Sequence, residues 1–213
     1  HLSFDKFEQS ILIQKLNIKK LYLGKDFRYG NQRKGSIDTL KILCNASNIG
    51  LEELQLLNDH HTNIKISSSE IRELLKNGEI EKANNHLYKK FSISGIVIQG
   101  DQRGRTIGIP TANLQFPENI IKIPYGVYAV QIKLSEQTLF GIVNFGMRPT
   151  FNKPTSILEV HIFDFDEDIY DKKIEVVFSN KIRDEKKFDG IKELLNQITL
   201  DITVAKKLLN YGN

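Results

Sequence analysis

The chain has 213 residues, 40% of them hydrophobic and 26% charged, the balance of a globule that buries its own core rather than of a disordered tail. A single cysteine, Cys44, excludes a disulfide framework and a cysteine-rich zinc site, and no apolar run approaches the ~20 residues needed to span a bilayer. Thirty basic against 26 acidic side chains leave a net charge of +4, too mild to point to nucleic acid. The chain opens on His1 and its only methionine is Met147, so residue 1 is not expected to be a translation start, and a preceding segment is expected to be missing.

At ~100–200 residues per domain, this length fits one large domain or two small ones, and composition divides the chain near residue 90. All five prolines and nine of the fourteen glycines lie after that point. Residues 1–90 carry 15 basic and 11 acidic side chains, whereas residues 91–213 carry 15 of each. In the first part, apolar residues at 4, 7, 11, 12 and 16 predict a helix over Phe4–Leu16. A short strand over Lys20–Gly24 follows, then helical spacing over Ser36–Cys44, a serine-capped helix over Ser67–Lys76 and another over about Glu79–Leu87. Alternating strands and helices predict a parallel α/β sheet, here an incomplete one.

The second part changes character. Phe91–Gln99, Gly126–Leu134, Leu139–Phe145, Ile157–Phe165 and Ile174–Ile182 read as short strands, most alternating with period two and separated by Gly, Pro and Asp. Five or six such strands predict an antiparallel barrel or sandwich, with an amphipathic helix over Phe188–Leu209 packed on it.

The densest chemical signal is Gly100-Asp-Gln-Arg-Gly-Arg-Thr-Ile-Gly-Ile-Pro-Thr-Ala-Asn113. Three glycines at a spacing of four let backbone N–H groups approach an anion, and Arg103 and Arg105 bring positive charge to it; a plain hairpin with solvated arginines has the same spacing. No Walker motif is present. Thr111 and Asn113, two apart, would share one face of a strand and offer hard oxygens suited to Mg²⁺ beside a nucleotide. In Leu-Glu-Val-His-Ile-Phe over 158–163, Glu159, His161 and Phe163 fall on one strand face and Leu158, Val160 and Ile162 on the other. Glu159 reads either as a general base for an attacking hydroxyl or as an edge-strand carboxylate meeting water. The acidic turn of Asp164, Asp166, Glu167, Asp168 and Asp171 reads as a solvated loop, and Arg183–Phe188 as a charged loop before the final helix. In the first part, Gly-Lys-Asp-Phe-Arg-Tyr-Gly over 24–30 follows a strand with aromatics suited to a flat ring. Ile-Ser-Ser-Ser-Glu-Ile-Arg over 66–72 puts hydroxyls and N–H groups at a helix start that attracts phosphate.

The order of these motifs, together with Arg-Pro-Thr-Phe over 148–151 and Arg-Asp-Glu-x-x-Phe over 183–188, resembles the prokaryotic bifunctional riboflavin kinase/FMN adenylyltransferase (FAD synthetase) family over essentially the whole chain. The resemblance implies a partial Rossmann-like α/β nucleotidyltransferase domain over residues 1–90. It implies a six-stranded antiparallel flavokinase barrel with a C-terminal helix over residues 91–213. The activity implied is ATP- and Mg²⁺-dependent phosphorylation of riboflavin to FMN, coupled in the intact protein to adenylylation of FMN to FAD. Glu159 would be the base, Thr111 and Asn113 would hold Mg²⁺, and Gly104, Arg105, Gly108, Ile162, Asp164 and Tyr170 would lie near ATP. Arg183, Lys186 and Phe188 would flank the flavin. Asp26, Phe27, Gly30, Ser68, Ser69 and Arg72 match the adenylyltransferase site.

One departure stands out. The family's His-x-Gly-His motif is not made by any of His1, His60, His61, His86 and His161, so this chain by itself is not expected to make FAD. A flavin- or nucleotide-binding relative without turnover is the competing reading, and it would not need Thr111, Asn113 and Glu159 together. An RNA-binding barrel fits poorly, because the excess charge lies in residues 1–90. Small molecules are therefore the expected partners, with no nucleic acid and no membrane, in the cytoplasm. The sequence indicates no oligomeric state.

Overall fold

The apolar stripe that begins at Phe4 winds into a helix, α1. It is α-helical over Phe4–Lys6 and π-helical over Phe7–Lys15, where the Leu16 N–H reaches back five residues to the Ile11 carbonyl (2.9 Å). The structure, a computed structural model, describes residues 2–54, 66–100, 103–148 and 155–212, without the side chains of Arg103, Thr106 and Arg148. Two compact units emerge, His1–Ile66 and Ser67–Asn213.

In the first unit, β1 (Lys20–Gly24) pairs in parallel with β4 (Gly50–Leu54), a strand too polar to be read from the sequence. Between them lie β2 (Arg28–Tyr29), β3 (Gly35–Ser36) and α2 (Ile37–Ala46), and Ser36 caps α2 through Asp38 N–H (3.2 Å). Leu12, Tyr29, Leu40 and Leu43 form the core. Glu8 is buried beside them and accepts a hydrogen bond from the Tyr29 hydroxyl, which also contacts Thr39 Oγ1 (2.8 Å), so a buried carboxylate is not left bare.

The second unit starts with α3 (Ser68–Lys76) and α4 (Ile80–His86). Their Leu75, Ile80 and Ala83 are buried in the same core as the sheet, and Asn84 ties Phe91 N–H (2.8 Å) and the Phe178 carbonyl (2.9 Å). Composition changes where the sheet starts, near residue 90, whereas packing changes earlier, because these two helices bury their apolar side chains with the strands that follow.

Six antiparallel strands come next: β5 (Ser92–Ile96), β6 (Ala112–Gln115), β7 (Gly126–Leu134), β8 (Gln137–Arg148), β9 (Thr155–Ile162) and β10 (Lys173–Asp184). Their order is β5-β10-β7-β8-β9-β6, and an isolated bridge between Ile98 and Asn113 brings the two edges together into a nearly closed barrel. The period-two pattern fills the interior with Tyr128, Val130, Ile132, Val143, Phe145, Leu158, Val160, Val176 and Phe178. A short helical turn, α5 (Arg103–Thr106), leads into β6. The last helix, α6 (Ile191–Leu208), covers outward-facing Val127, Ala129, Ile142 and Phe163 with Ala205 and Leu209. β7 is thus buried on both faces.

On β10, Glu175 accepts hydrogen bonds from Lys89 (2.8 Å), Ser92 (2.7 Å) and Lys133 (3.3 Å), which hold its carboxyl down at about 2 against an ordinary 4.5. Its stabilising contribution is therefore complete above about pH 4.5 and is lost as pH falls toward 2. Glu175→Gln is expected to flatten the fall in thermal midpoint across that window, as measured by a melting series on both proteins.

Candidate active site

The register of the barrel determines which polar groups meet. β9 lies between β6 and β8, and its Glu159 is paired with Asn113 on one side and Asn144 on the other. Directly opposed residues point to the same face. The row continues through Val127 of β7 to Arg183 of β10. Asn113, Glu159, Asn144 and Arg183 thus lie in one line across the outer face of the barrel, while their strand neighbours Ala112, Val160, Val143 and Tyr128 point into the core. Asn144 Nδ2 donates to Glu159 Oε2 (3.2 Å), which leaves the other carboxylate oxygen for a second partner.

Val127, Asn144, Glu159 and Arg183 of this face form the floor of a cavity of about 340 Å³, which Asn113 itself does not line, roofed by α6 through Leu194, Ile198 and Asp201. Its sides are Ile107 and Ile109 from the glycine loop, Arg183 from the end of β10, which runs on into what the sequence reads as a charged loop, and Glu185, Lys186 and Phe188 from the loop after it. Asp201 is 2% exposed and is held by Arg183, with Nε at 2.9 Å and Nη2 at 2.9 Å, and by Gln197 Nε2 at 2.9 Å. A carboxylate at this depth is stable only with such partners. Arg183 and Lys186 also stand 5.6 and 5.3 Å from the Phe188 ring centre, so two cations fix one aromatic against the cavity.

A second cavity, of about 310 Å³, opens beside Val97, Ala112, Val160 and Ile162 and is lined by Arg105 and Tyr170. The acidic turn is exposed, as read from the sequence, and its Asp166, Glu167 and Asp168 also wall this cavity on one side. Thr111 lines both cavities. Mostly apolar walls with a few converging polar groups are the ordinary character of small-molecule sites.

Of the residues expected near ATP, Arg105, Ile162 and Tyr170 line the second cavity, while Gly104 lines the first. Gly104 is required for space, because a Cβ there would fall 2.2 Å from the Ile109 carbonyl oxygen. Gly108 takes φ +77° at the end of the turn and lines neither cavity. Asp164 also lines neither, since its carboxylate accepts from the Tyr211 hydroxyl (2.7 Å) and faces Lys206. Glu159, Arg183, Lys186 and Phe188 all line the first cavity. Asn144 and Asp201 join them without having been singled out in the sequence. Asn144 sits in an otherwise apolar strand, and Asp201 interrupts the apolar stripe of α6 three residues after Ile198, so each carried a signal.

In the first unit, Asp26 lies in the turn after β1, and Phe27 stacks on Tyr29 with ring centres 5.6 Å apart. Gly30 has φ +72°, and a Cβ on it would lie 2.6 Å from Phe4 Cα, so only glycine fits. In the second unit, Ser68, Ser69 and Arg72 are exposed in the first turns of α3. Pro149, Thr150 and Phe151, His1, His60 and His61, and the side chain of Arg103 lie outside the described residues.

A family model described as riboflavin kinase matches residues 87–209, and one described as FAD synthetase matches residues 1–70. The bifunctional riboflavin kinase/FMN adenylyltransferase of Buchnera aphidicola (subspecies Schizaphis graminum) is 43% identical over 212 residues, covering 98% of this chain and 67% of that one. The protein of the same name from Bacillus subtilis is 41% identical over 189 residues, 87% of this chain and 59% of that one. The chain thus spans about two thirds or less of these relatives. A solved structure described as a macrolide-efflux protein from Streptococcus pneumoniae superposes with a TM-score of 0.83 at 31% identity, covering 96% of this chain and 65% of that one. Among the described residues, no helix here is long and apolar enough to cross a membrane. With the riboflavin kinase model spanning the barrel and a relative 43% identical over 98% of this chain, the chain belongs to the bifunctional riboflavin kinase/FMN adenylyltransferase family.

Proposed function

We propose that this chain transfers a phosphoryl group from ATP to the 5′-hydroxyl of riboflavin, giving FMN. The barrel over residues 91–213 would supply the chemistry. In the intact protein, the part that includes residues 1–90 would serve adenylylation of FMN to FAD. The observation that carries this reading is that Thr111 lies at the border of two cavities, one of which contains Glu159. Phosphoryl transfer needs a donor and an acceptor held in line across a short gap, and two cavities meeting at one residue are compatible with that requirement.

The larger cavity is the one for riboflavin. Phe188, Ile107, Ile109, Val127, Ile142, Leu194 and Ile198 give a flat ring apolar walls, and Glu159 stands on the floor as the base that receives the hydroxyl proton. Asn144 leaves that carboxylate one oxygen free for the task. The second cavity suits the nucleotide. Its acidic wall of Asp166, Glu167 and Asp168 repels phosphate, which leaves the end near Arg105 and Thr111 for the phosphates.

Thr111 and Asn113 are the residues that would hold Mg²⁺. Their donors are hard neutral oxygens, and Gly100 makes room for the carboxamide, because a Cβ there would fall 2.2 Å from Asn113 Nδ2. Mg²⁺ takes about six oxygens and usually keeps several waters, so two side-chain oxygens would leave room for substrate oxygens and water. Bound there, the ion neutralises charge on the transferring phosphoryl group. A cytoplasmic location fits ATP use and the free thiol of Cys44.

Incubation with riboflavin, ATP and Mg²⁺, followed by separation of flavins, is expected to give FMN. Flavin binding without any product would favour the non-catalytic relative. Glu159→Gln is expected to lower kcat by about 10²–10⁴-fold with riboflavin affinity retained, and near-normal turnover would remove the base assignment. Asp201→Ala leaves the Arg183 guanidinium without its carboxylate and is expected to cost about 1.5–3 kcal/mol of stability, measured by denaturant unfolding.

A further inference from the structure

The first pair of the β6–β9 ladder is Ala112 with Val160. One step further the register would bring Thr111 opposite His161, but there the backbone ladder stops and a side chain takes over: His161 Nδ1 lies 2.9 Å from the Pro110 carbonyl oxygen. That oxygen can only accept, so Nδ1 carries the proton and donates. Pro110 has no N–H of its own and cannot extend the ladder as a donor. The turn before it is bonded to itself, with Ile109 N–H and Ile107 N–H both on the Gly104 carbonyl (2.8 and 3.2 Å). The Pro110–Thr111 link therefore joins a self-contained turn to the barrel, and the imidazole fastens that link to the strand that bears Glu159. The ring is itself braced by Phe163, edge-on at 6.1 Å, which is buried under α6.

We infer that His161 is a positioning residue: through the Pro110 carbonyl it holds Thr111 at a fixed place relative to Glu159, and so sets one cavity against the other. The inference rests on reading the barrel as a riboflavin kinase. It assigns His161 no proton transfer. A hydrogen-bonded partner behind a ligand sets the ligand's orientation, and its loss commonly costs 10–100-fold in affinity or activity.

The test uses His161→Leu and His161→Asn in the full chain. In Asn, Nδ2 stands at the same bond separation from Cβ as Nδ1 does in His and can keep the bond, while Leu fills space without a donor. Calorimetric binding of ADP with Mg²⁺, without turnover, is expected to weaken about tenfold in the Leu variant and to recover to within about threefold of the parent in the Asn variant. Riboflavin affinity, read from quenching of flavin fluorescence, is expected to stay within about twofold in both. An unchanged Mg²⁺–ADP affinity in the Leu variant, or an Asn variant as weak as Leu, overturns the inference. A parallel loss of riboflavin binding also overturns it, since the ring would then be only a cavity wall. If neither variant folds, the long-range ¹⁵N–¹H spectrum of the parent decides: the inference requires a proton on Nδ1, and an Nδ1 without a proton at His161 refutes it. A parent that binds Mg²⁺–ADP but never makes FMN counts against the kinase reading, while the binding arms still report on His161.

Discussion

Most of the site hangs on the pairing of β9 between β6 and β8. Because a strand's side chains alternate, this one register sends Leu158, Val160 and Ile162 into the core and lines up Asn113, Glu159 and Asn144 outside. A slip of one residue would drive Glu159 into an apolar interior and expose Val160. The packing that closes the barrel and the polar row that gives it a chemical face are therefore the same fact. Interior residues such as Val143, Phe145, Leu158 and Phe178 are fully buried, which leaves the register no room to drift.

The outer face would be an open surface without α6. That helix serves two ends. Toward its C-terminus, Ala205 and Leu209 seal the apolar part of the face formed by Val127, Ala129, Ile142 and Phe163. Toward its N-terminus, Leu194, Ile198 and Asp201 stand off and leave a cavity. Asp201 links the two roles, since its buried carboxylate takes Arg183 and Gln197 together and so ties the helix to the row on the barrel. The Arg183 charge is spent on this contact rather than left for an incoming phosphate, and its guanidinium instead supports Phe188.

The α/β unit offers a contrast. Its parallel pair, β1 with β4, holds a small core under α1 and α2, and the Tyr29 hydroxyl keeps Glu8 inside it. β4 is not legible in the sequence because Gly-Leu-Glu-Glu-Leu lacks both the alternation and the β-branched residues that mark a strand, so its pairing is decided by the partner strand rather than by its own preference. The π-type winding of Phe7–Lys15 is likewise invisible to a 3.6-residue pattern, which counts apolar faces and not hydrogen bonds.

Neighbours along the chain suffice for the alternating strands, the cap of Ser67, the place where Pro and Gly become frequent, and the motif order that marks the family. Thr111 with Asn113, and Glu159 with His161, were legible as pairs because a spacing of two puts side chains on one face of any strand. Tertiary structure alone decided what depends on residues far apart in the chain. Asn144 reaches Glu159 across a strand boundary, Asp201 finds Arg183 from a helix, and the acidic turn wraps round to wall a cavity. Helices α3 and α4 go with the barrel for the same reason. Apolar burial is blind to composition along the chain and favours whichever surface removes Leu75, Ile80 and Ala83 from water.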